Sequence, residues 1–379
     1  MSLVTVIIPA HNQARFLGPA IESVLGQTYA HLELIVVNDG STDETREVIL
    51  TFADPRLRYV EQENQGLPAA RNAGLRGAWG RFVSFLDADD LFLPAKLADL
   101  LAVLTADPEI DLAAGQALPI DEQGRRVGHV FDRPLPAEAA DLLFGNPLHV
   151  GSVLLRRAAL DRIGAFDVRL RSYEDWDLWL RLARAGCRMR WIDRPVSLYR
   201  FHTHQMTRDG AQMTAASLAV LDKVFAETPL PEAWTRRRER AYSEAYLRAA
   251  ANAYLAGETG AAQHHLERAI DLQPALLNDD ARPLADRFSA WTELPKTSDP
   301  VAFLETIYRH LPPRLDSLRR RRNEEIGRVT LRRIFDSYQA GDWTQTRTAL
   351  RQLVRYRPAW FARRGVASIL IRSYLSLAG

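Results

Sequence analysis

The N-terminal quarter of the chain alternates between short apolar runs and segments with the helical hydrophobic period of ~3.6 residues. The apolar runs are rich in β-branched residues and predict strands at 4–10, 32–39, 57–62 and 81–90. The periodic segments predict helices at 14–27, 44–53 and 66–78. Strands that alternate with helices of this length form a mostly parallel sheet flanked by helices, so we expect an α/β fold.

The remainder of the chain is predicted to be of two kinds. Residues 110–200 are mixed, and from about residue 211 the pattern is helical to the C-terminus. The clearest elements of the mixed part are a strand at 151–157 and helices at 158–164 and 175–186. Because a proline-containing break lies at 229–231, we expect an α/β domain over residues 1–228 and an all-α domain over residues 229–379.

The all-α part contains an internal repeat. Residues 254–276 align without gaps on residues 338–360, with small residues at a turn, an amphipathic helix and a closing proline. This pattern resembles tetratricopeptide-type helical hairpins. Such a domain would suit a protein partner, and simple packing of helices is the alternative.

Polar clusters follow three of the predicted strands. They are "PAHN" at 9–12, "NDGSTD" at 38–43 and "DADD" at 87–90. Each cluster alone would be explained by a turn or a helix cap. The carboxyl ends of parallel strands meet at one edge of a sheet, where α/β proteins bind ligands. The three clusters together therefore predict a binding crevice at this edge.

The third cluster offers carboxylates to a metal. Asp87 and Asp89 stand two residues apart after a strand, so they point the same way and can hold Mg²⁺ or Mn²⁺ through oxygen. Asp90 is interpreted as a cap for a helix that begins near Pro94.

Four separated motifs make the chain recognisable. They are "VTVIIPAHN", "VVNDGSTDET", "NQGLPAARNAGLRGAWGRFVSFLDADD" and "GAFDVRLRSYEDWDLWLRLARAG". In order and spacing they resemble the inverting glycosyltransferases of family 2, which have the GT-A fold. The resemblance covers residues 3–207 and implies a GT-A domain that binds a nucleoside diphosphate sugar.

The resemblance also implies roles on the donor side. Asp89 would be the direct metal ligand, Asp87 would lie near the ribose or a metal-bound water, and Asp39 would accept a hydrogen bond from the nucleobase. The base pocket would be lined by Pro9, Ala10, His11 and Asn12. Many relatives have an aromatic ring at the position of His11.

Arg71 and His202 are further candidates from the resemblance. Arg71 would approach the diphosphate, whereas composition alone favours a surface arginine. In "LYRFHTHQMT" the resemblance points to His202, rather than His204, as a metal or diphosphate contact. His149 could face either sugar.

On the acceptor side, the motif "EDWDLW" would supply the catalytic base. Asp175 occupies the base position of the family, with Glu174 beside it. An inverting transfer needs one base to take the proton of the attacking hydroxyl. The alternative is that these carboxylates, with Asp177, complement the positive end of a helix dipole, and Asp177 is interpreted as structural.

Composition narrows the class of protein. The chain has 379 residues, a formal net charge of +2 and one cysteine, Cys187, so it has no intramolecular disulfide. No apolar run approaches the roughly 18–20 residues that span a bilayer. We therefore expect a cytoplasmic protein, with at most peripheral contact at the inner face of the membrane. The basic cluster 319–322 is followed by Glu324 and Glu325, which favours a solvated helix face over a nucleic-acid site.

The expected function is the metal-dependent transfer of a sugar, with inversion, from a nucleoside diphosphate donor to an acceptor hydroxyl. The resemblance favours a UDP-sugar, Mn²⁺ or Mg²⁺ as cofactor, and a glycan, lipid-linked or glycoprotein acceptor of the cell envelope. One alternative is a nucleotidyltransferase that makes nucleotide sugars, although the glycine-rich basic loop of such enzymes does not follow the first strand. The other is a helical scaffold attached to an inactive transferase domain.

Overall fold

The structure is a computed structural model that describes residues 2–127, 134–202, 209–294, 297, 299–362 and 364–375. The chain divides into two compact units, Met1–Ala245 and Tyr246–Gly379. The domain boundary expected after residue 228 stays a prediction, since compactness groups the residues up to Ala245 with the first unit.

The first unit is built on one eight-stranded sheet. Its strands are β1 Val4–Ala10, β2 Leu32–Asp39, β3 Leu57–Gln62, β4 Phe82–Phe85, β5 Leu91–Phe92, β6 Ile110–Ile120, β7 Val153–Arg156 and β8 Arg188–Arg200. They lie in the order β3-β2-β1-β4-β7-β6-β8-β5. The β3-β2-β1-β4 half is parallel, as predicted, while β7 runs antiparallel to both β4 and β6.

Helices separate and follow the strands of this sheet. They are α1 Ala14–Leu25, α2 Thr45–Leu50, α3 Leu67–Gly77, α4 Lys96–Ala106, α5 Arg157–Ile163, α6 Glu174–Arg184, α7 Gly210–Ala226, α8 Glu232–Thr235 and α9 Arg238–Ala256, the last of which extends into the second unit. Short 3-10 helices form at Ala139–Phe144 and Val150–Ser152. Every residue of β1 and β2 is buried, as expected for parallel strands with helices on both faces.

The two faces of β1 pack into different cores. Val6 and Ile8 pack with Leu17 of α1, whereas Ile7 packs with Ala70 of α3 on the opposite face. Helix α3 lies so close to β1 that a Cβ on Gly74 would meet Ile7 Cγ2 at 2.4 Å. This close packing fixes α3, and with it Arg71, against the sheet.

The second unit is helical. It contains α10 Thr259–Leu272, α11 Asn278–Trp291, α12 Pro300–Arg309, α13 Arg322–Gln339, α14 Trp343–Tyr356 and α15 Arg364–Leu375, with 3-10 helices at Pro274–Leu277, Pro313–Arg321 and Pro358–Ala362. Across the described part of the chain, no helix is both long enough and apolar enough to cross a membrane.

The internal repeat has the same geometry in both copies. Each copy turns at a glycine with positive φ, 79° at Gly257 and 73° at Gly341. Each then forms a helix, α10 or α14, and closes with a proline at the start of a 3-10 helix. The backbone hydrogen bond from Glu258 N to Ala253 O has its counterpart from Asp342 N to Ser337 O, at 2.8 and 2.9 Å. The aligned residues therefore specify one repeated helical turn.

Candidate active site

The loops after β1 and β2 are tied together at the carboxyl edge of the sheet. Asn12 has a positive φ of 53°, and its Oδ1 accepts a hydrogen bond of 2.8 Å from the backbone N–H of Thr42. The ring of His11 donates from Nδ1 to the backbone oxygen of Asp39 at 2.8 Å. Pro9 and Ala10, the last residues of β1, are buried beside Val37 and Asn38 of β2. The expected base-pocket residues are thus brought to one place.

Asp39 is held by the loop that leads into α3. Its buried carboxylate accepts hydrogen bonds from Gln65 N at 2.9 Å, Gly66 N at 2.8 Å and Gln62 Nε2 at 2.7 Å. Gly66 has a φ of 89°, a conformation that glycine adopts without strain. A carboxylate has about four acceptor positions. Asp39 is therefore oriented and retains room for a further donor.

Arg71 joins the two halves of the predicted site. Only 1% of its side chain is exposed, so the interpretation as a surface arginine is wrong. Its guanidinium donates to Asp87 Oδ1 at 2.5 Å and to Glu174 Oε1, and it lies 5.3 Å from the centre of the Phe166 ring. Burial alone would lower the pKa of Arg71, but the charges of Asp87 and Glu174 outweigh it and raise the pKa. The group is a permanent cation between carboxylates of two elements.

Asp89 and His202 form a separate pair. Asp89 Oδ2 lies 2.8 Å from His202 Nε2, and Arg200 Nε donates to the backbone oxygen of Asp89 at 2.7 Å. The His202 ring is buried 5.4 Å from the ring of Phe16. Two of the expected metal ligands are therefore in contact, while Asp87 faces Arg71. His204 lies outside the described residues.

The prediction that Asp90 caps a helix is wrong. Helix α4 begins after Ala95 without a side-chain cap, and Asp90 is fully buried. Its Oδ1 accepts a hydrogen bond of 2.8 Å from Arg200 N, and its Oδ2 lies 3.1 Å from His149 Nε2, near enough for an ion pair but not aligned as a hydrogen bond. Burial, with the charge of Asp89, raises the pKa of Asp90 to about 7. The partners of Asp90 are distant in the chain, so the local spacing of residues could not predict its role.

The position of Asp90 beside His149 gives a second arrangement of possible metal ligands. Ligand atoms of Asp87, Asp90 and His149 all lie within 4.8 Å of one another. Carboxylate oxygens are suitable ligands for Mg²⁺ and Mn²⁺. Asp87 is 28% exposed and thus open to a bound group. The residues at this edge fit a divalent cation, with Asp87 common to the predicted set and to this one.

Asp175 lies at the start of α6. Its Oδ2 accepts a hydrogen bond of 2.8 Å from Asn146 Nδ2, and its Oδ1 accepts one of 2.7 Å from Trp176 N. Burial and then the charge of Glu174 raise the pKa of Asp175 to about 7, against the opposing effect of Arg71. A carboxylate with a pKa near neutrality suits a general base.

Asp177 is bound on the same helix by cations. Its carboxylate accepts a hydrogen bond from Arg181 Nε at 2.8 Å and pairs with Lys223 Nζ at 2.7 Å. Only 1% of its side chain is exposed. These contacts agree with the structural role predicted for it.

Sequence reasoning missed Asn146 and Arg200. Asn146 stands in the sequence Gly-Asn-Pro, and this turn signal before a predicted strand was the available indication. Arg200 lies two residues before the expected His202. Its hydrogen bond to Asp89 could not be predicted, because the two residues are 111 positions apart in the chain. The roles of the predicted site residues themselves stay predictions.

Residues 5–164 match the family model described as glycosyl transferase family 2. These residues belong to that family. An uncharacterized glycosyltransferase of Rickettsia felis is 33% identical over 211 residues, which make up 54% of this chain and 35% of that protein. The Escherichia coli glucosyltransferase WfaP, named for UDP-Glc and α-D-GlcNAc-diphosphoundecaprenol, is 28% identical over 205 residues, 53% of this chain and 78% of that protein.

Solved structures confirm the fold of the family 2 domain. The Pyrobaculum calidifontis mannosyltransferase PcManGT, solved with GDP-Man and Mn²⁺, has a TM-score of 0.54 at 21% identity, covering 81% of this chain and 86% of its own. The expectation of a GT-A fold followed by helices is confirmed. The chain spans 35% of the length of the first two curated relatives and 59% of the next two.

Proposed function

We propose that the family 2 domain transfers a sugar from a nucleoside diphosphate donor, a UDP-sugar, to an acceptor hydroxyl with inversion. The observation that carries the proposal is the guanidinium of Arg71, which joins the strand-end carboxylate Asp87 to Glu174, beside Asp175. One buried cation thus connects the residues expected on the donor side with those expected on the acceptor side.

The base of the reaction would be Asp175. The acceptor oxygen attacks the anomeric carbon while the bond from that carbon to the diphosphate oxygen breaks, and its electron pair leaves with the diphosphate. The hydroxyl proton passes to a carboxylate oxygen of Asp175. A single displacement of this kind inverts the anomeric centre and leaves no covalent intermediate on the protein. The pKa of about 7 at Asp175 supports this role.

The donor would be bound by the loops at the carboxyl edge. Asp39, already oriented by three donors, has the acceptor capacity to take an N–H of the nucleobase. His11 and Asn12 would form the wall of the base pocket beside Pro9 and Ala10. The contacts of Arg71 with Asp87 and Glu174 favour a role in fixing these carboxylates over direct contact with the diphosphate.

A divalent cation, Mn²⁺ or Mg²⁺, is the cofactor in this proposal. Asp89, Asp87 and His202 would hold it, and Asp90 with His149 offers further ligand atoms beside Asp87. When bound, the cation supplies neutralisation of the charge on the leaving diphosphate. We expect Asp89→Ala to weaken UDP binding in the presence of Mn²⁺, measured by isothermal titration calorimetry. Unchanged affinity would assign the cation to other residues.

The acceptor and partners are proposed more broadly. A glycan, lipid-linked or glycoprotein acceptor in cell-envelope synthesis is consistent with the lipid-linked substrate in the name of the E. coli relative. An acceptor of this kind would bring the protein to the inner face of the membrane. The repeated helical turns of the second unit would suit a protein partner.

A screen of nucleotide sugars tests the proposal without an acceptor. The protein is incubated with each donor and Mn²⁺, and the released nucleoside diphosphate is measured. We expect slow hydrolysis of one UDP-sugar above the others and its loss when EDTA is added. Equal, background release from every donor would contradict the proposal. Formation of a nucleoside triphosphate from a nucleotide sugar and added pyrophosphate would indicate a nucleotidyltransferase.

A further inference from the structure

The 3-10 helix Ala139–Phe144 and the residues that follow it up to His149 form a supporting segment, which contacts the start of α6 at two points. Trp176 Nε1 donates a hydrogen bond of 2.8 Å to the backbone oxygen of Leu142. Four residues further on, Asn146 Nδ2 donates one of 2.8 Å to Asp175 Oδ2. The segment therefore holds both the buried indole of the helix and the carboxylate beside it.

Two backbone features and one hydrogen bond orient the side chain of Asn146 toward Asp175. Gly145 has φ 153° and ψ 169°, a region that only glycine adopts readily. Pro147 restricts the backbone of Asn146 to extended conformations. The Asn146 Oδ1 accepts a hydrogen bond of 3.1 Å from Leu148 N. Because the oxygen is occupied by a backbone donor, the NH₂ group is directed at the carboxylate.

The charged groups around Asp175 show why a neutral donor suits this place. The neighbour of Asp175 on the same helix, Glu174, carries negative charge. Arg71 of α3 and His149 of the supporting segment face Asp175 from other elements. Arg71 is already committed to Asp87 and Glu174. A cation bonded directly to Asp175 would lower its pKa and weaken it as a base, whereas an amide holds the carboxylate with a smaller effect.

We propose that Asn146 is a positioning residue for the general base: its amide holds Asp175 Oδ2 in place and favours the ionised carboxylate. This inference rests on the proposed function. The Gly-Asn-Pro segment would then contribute to the reaction, because it directs one N–H of Asn146 at one oxygen of Asp175.

Two variants and a matched control test the inference. Asn146→Ala removes the donor. Asn146→Asp keeps the shape of the side chain and an acceptor for Leu148 N, but replaces the donor by a carboxyl group. The control is Asn72→Ala. The amide of half-buried Asn72 also makes two hydrogen bonds, but both are to the backbone of Phe166, at 2.9 Å each. Circular dichroism establishes that each variant is folded.

The titration midpoint of the Asp175 carboxyl is measured by ¹³C NMR, with Asp175→Asn to assign the signal. Losing a hydrogen bond to a charged group corresponds to about one pH unit or more. We expect the midpoint to rise by about one unit in Asn146→Ala, by at least as much in Asn146→Asp, and to stay unchanged in Asn72→Ala. Wild-type midpoints in both Asn146 variants would overturn the inference.

The pH dependence of kcat/KM for donor turnover separates the inference from the proposed function. We expect the acidic limb of the profile to move upward with the NMR midpoint. If the midpoint moves and the limb does not, the hydrogen bond acts on Asp175 as inferred, but Asp175 is not the base and the proposed mechanism fails. If Asp175→Asn abolishes turnover, but the acidic limb of the kcat/KM profile is the same in both Asn146 variants as in the wild type, the mechanism stands and the inference fails.

Discussion

Arg71 illustrates how burial decides the role of a single residue. Its guanidinium is 1% exposed and is bonded to carboxylates from the strand-end loop and from α6. Buried ions are tolerated only when they are paired, and removing one partner leaves the other charge uncompensated. Arg71 is therefore a structural centre of the site, whatever contact it makes with a ligand.

We expect Arg71→Met to destabilise the fold by about 3 kcal/mol, since Asp87 and Glu174 lose their common cation. Urea unfolding at pH 7 measures the change. Arg76→Met, on the exposed side of the same helix, is the control and should change stability by less than about 0.5 kcal/mol. Equal stabilities of the two variants would show that the carboxylates do not depend on Arg71.

Lys96 is a second buried cation, but it lacks a carboxylate partner among its described contacts. Its Nζ donates to Ser84 Oγ at 2.7 Å and lies 3.2 Å from the centre of the Phe92 ring, and 1% of the residue is exposed. Burial lowers the pKa of Lys96 well below its usual value. Between this lowered pKa and pH ~10.4, the folded state therefore binds fewer protons at Lys96 than the unfolded state.

This difference predicts a pH-dependent stability. The free energy of unfolding should rise with pH between the lowered pKa of Lys96 and the unfolded value of about 10.4, because the unfolded state binds the extra proton. We expect Lys96→Met, which keeps the volume of the side chain, to be more stable than the wild type at pH 7 and to converge toward it by pH 10. Urea unfolding at both pH values measures this. Parallel curves for the two proteins would mean that Lys96 is not deprotonated by folding.

Residue-level predictions succeeded where the local sequence carries the information. Asp39 and Asp87 could be placed at the carboxyl edge because each follows an apolar strand. Asp90, by contrast, was misread because its partners, Arg200 and His149, come from distant parts of the chain. The spacing of residues predicts the backbone position of a side chain in the fold, whereas its contacts depend on tertiary structure.

At the scale of elements, strands were predictable when their composition was typical. The predicted bounds of β1, β2 and β3 match the structure. Strands β6 and β8 were missed because their sequences, "IDLAAGQALPI" and "RMRWIDRPVSLYR", have a weak strand signal. The first contains glycine and proline, and the second contains proline and many arginines. Their pairing is irregular, with register shifts between Ala114 and Ala117.

The repeated turn of the second unit gives a prediction for an element. Gly341 has a φ of 73°, and a Cβ there would meet nothing within 4 Å, so substitution costs backbone strain alone. We expect Gly341→Ala to destabilise by about 1–2 kcal/mol. Gly260, inside α10 and equally open, is the opposite case, and Gly260→Ala should stabilise by about 0.5–1 kcal/mol. Thermal unfolding that shows the same sign for both variants would contradict this account of the turn.

At the scale of the whole molecule, ion pairs engage part of the basic cluster 319–322, and the absence of a nucleic-acid site stays a prediction. In the basic cluster 319–322, Arg319 pairs with Asp316 at 2.7 Å and Arg322 with Glu305 at 3.3 Å. Guanidinium groups already paired with carboxylates have less charge to offer to phosphates. The cluster serves to connect helices of the second unit.

The match to family 2 covers residues 5–164, so the two units stand on different evidence. For the first unit, sequence motifs, sheet topology and relatives agree on a glycosyltransferase domain. For the second unit, the geometry of the repeat is established, and its protein partner stays a prediction. The fold of the catalytic part was predictable because its motifs lie at strand ends. The network around Arg71 was not, since it depends on burial.

The central claim is that Asp175 acts as the base on a nucleotide sugar bound at this edge. The most direct measurement compares Asp175→Asn with the wild type, and Asp161→Asn, at an exposed position, is the control. Calorimetry measures UDP binding in the presence of Mn²⁺, and the released nucleoside diphosphate measures turnover. The account predicts UDP affinity close to wild type and turnover lower by about 10² or more in Asp175→Asn alone. Turnover within threefold of the wild type would contradict the account.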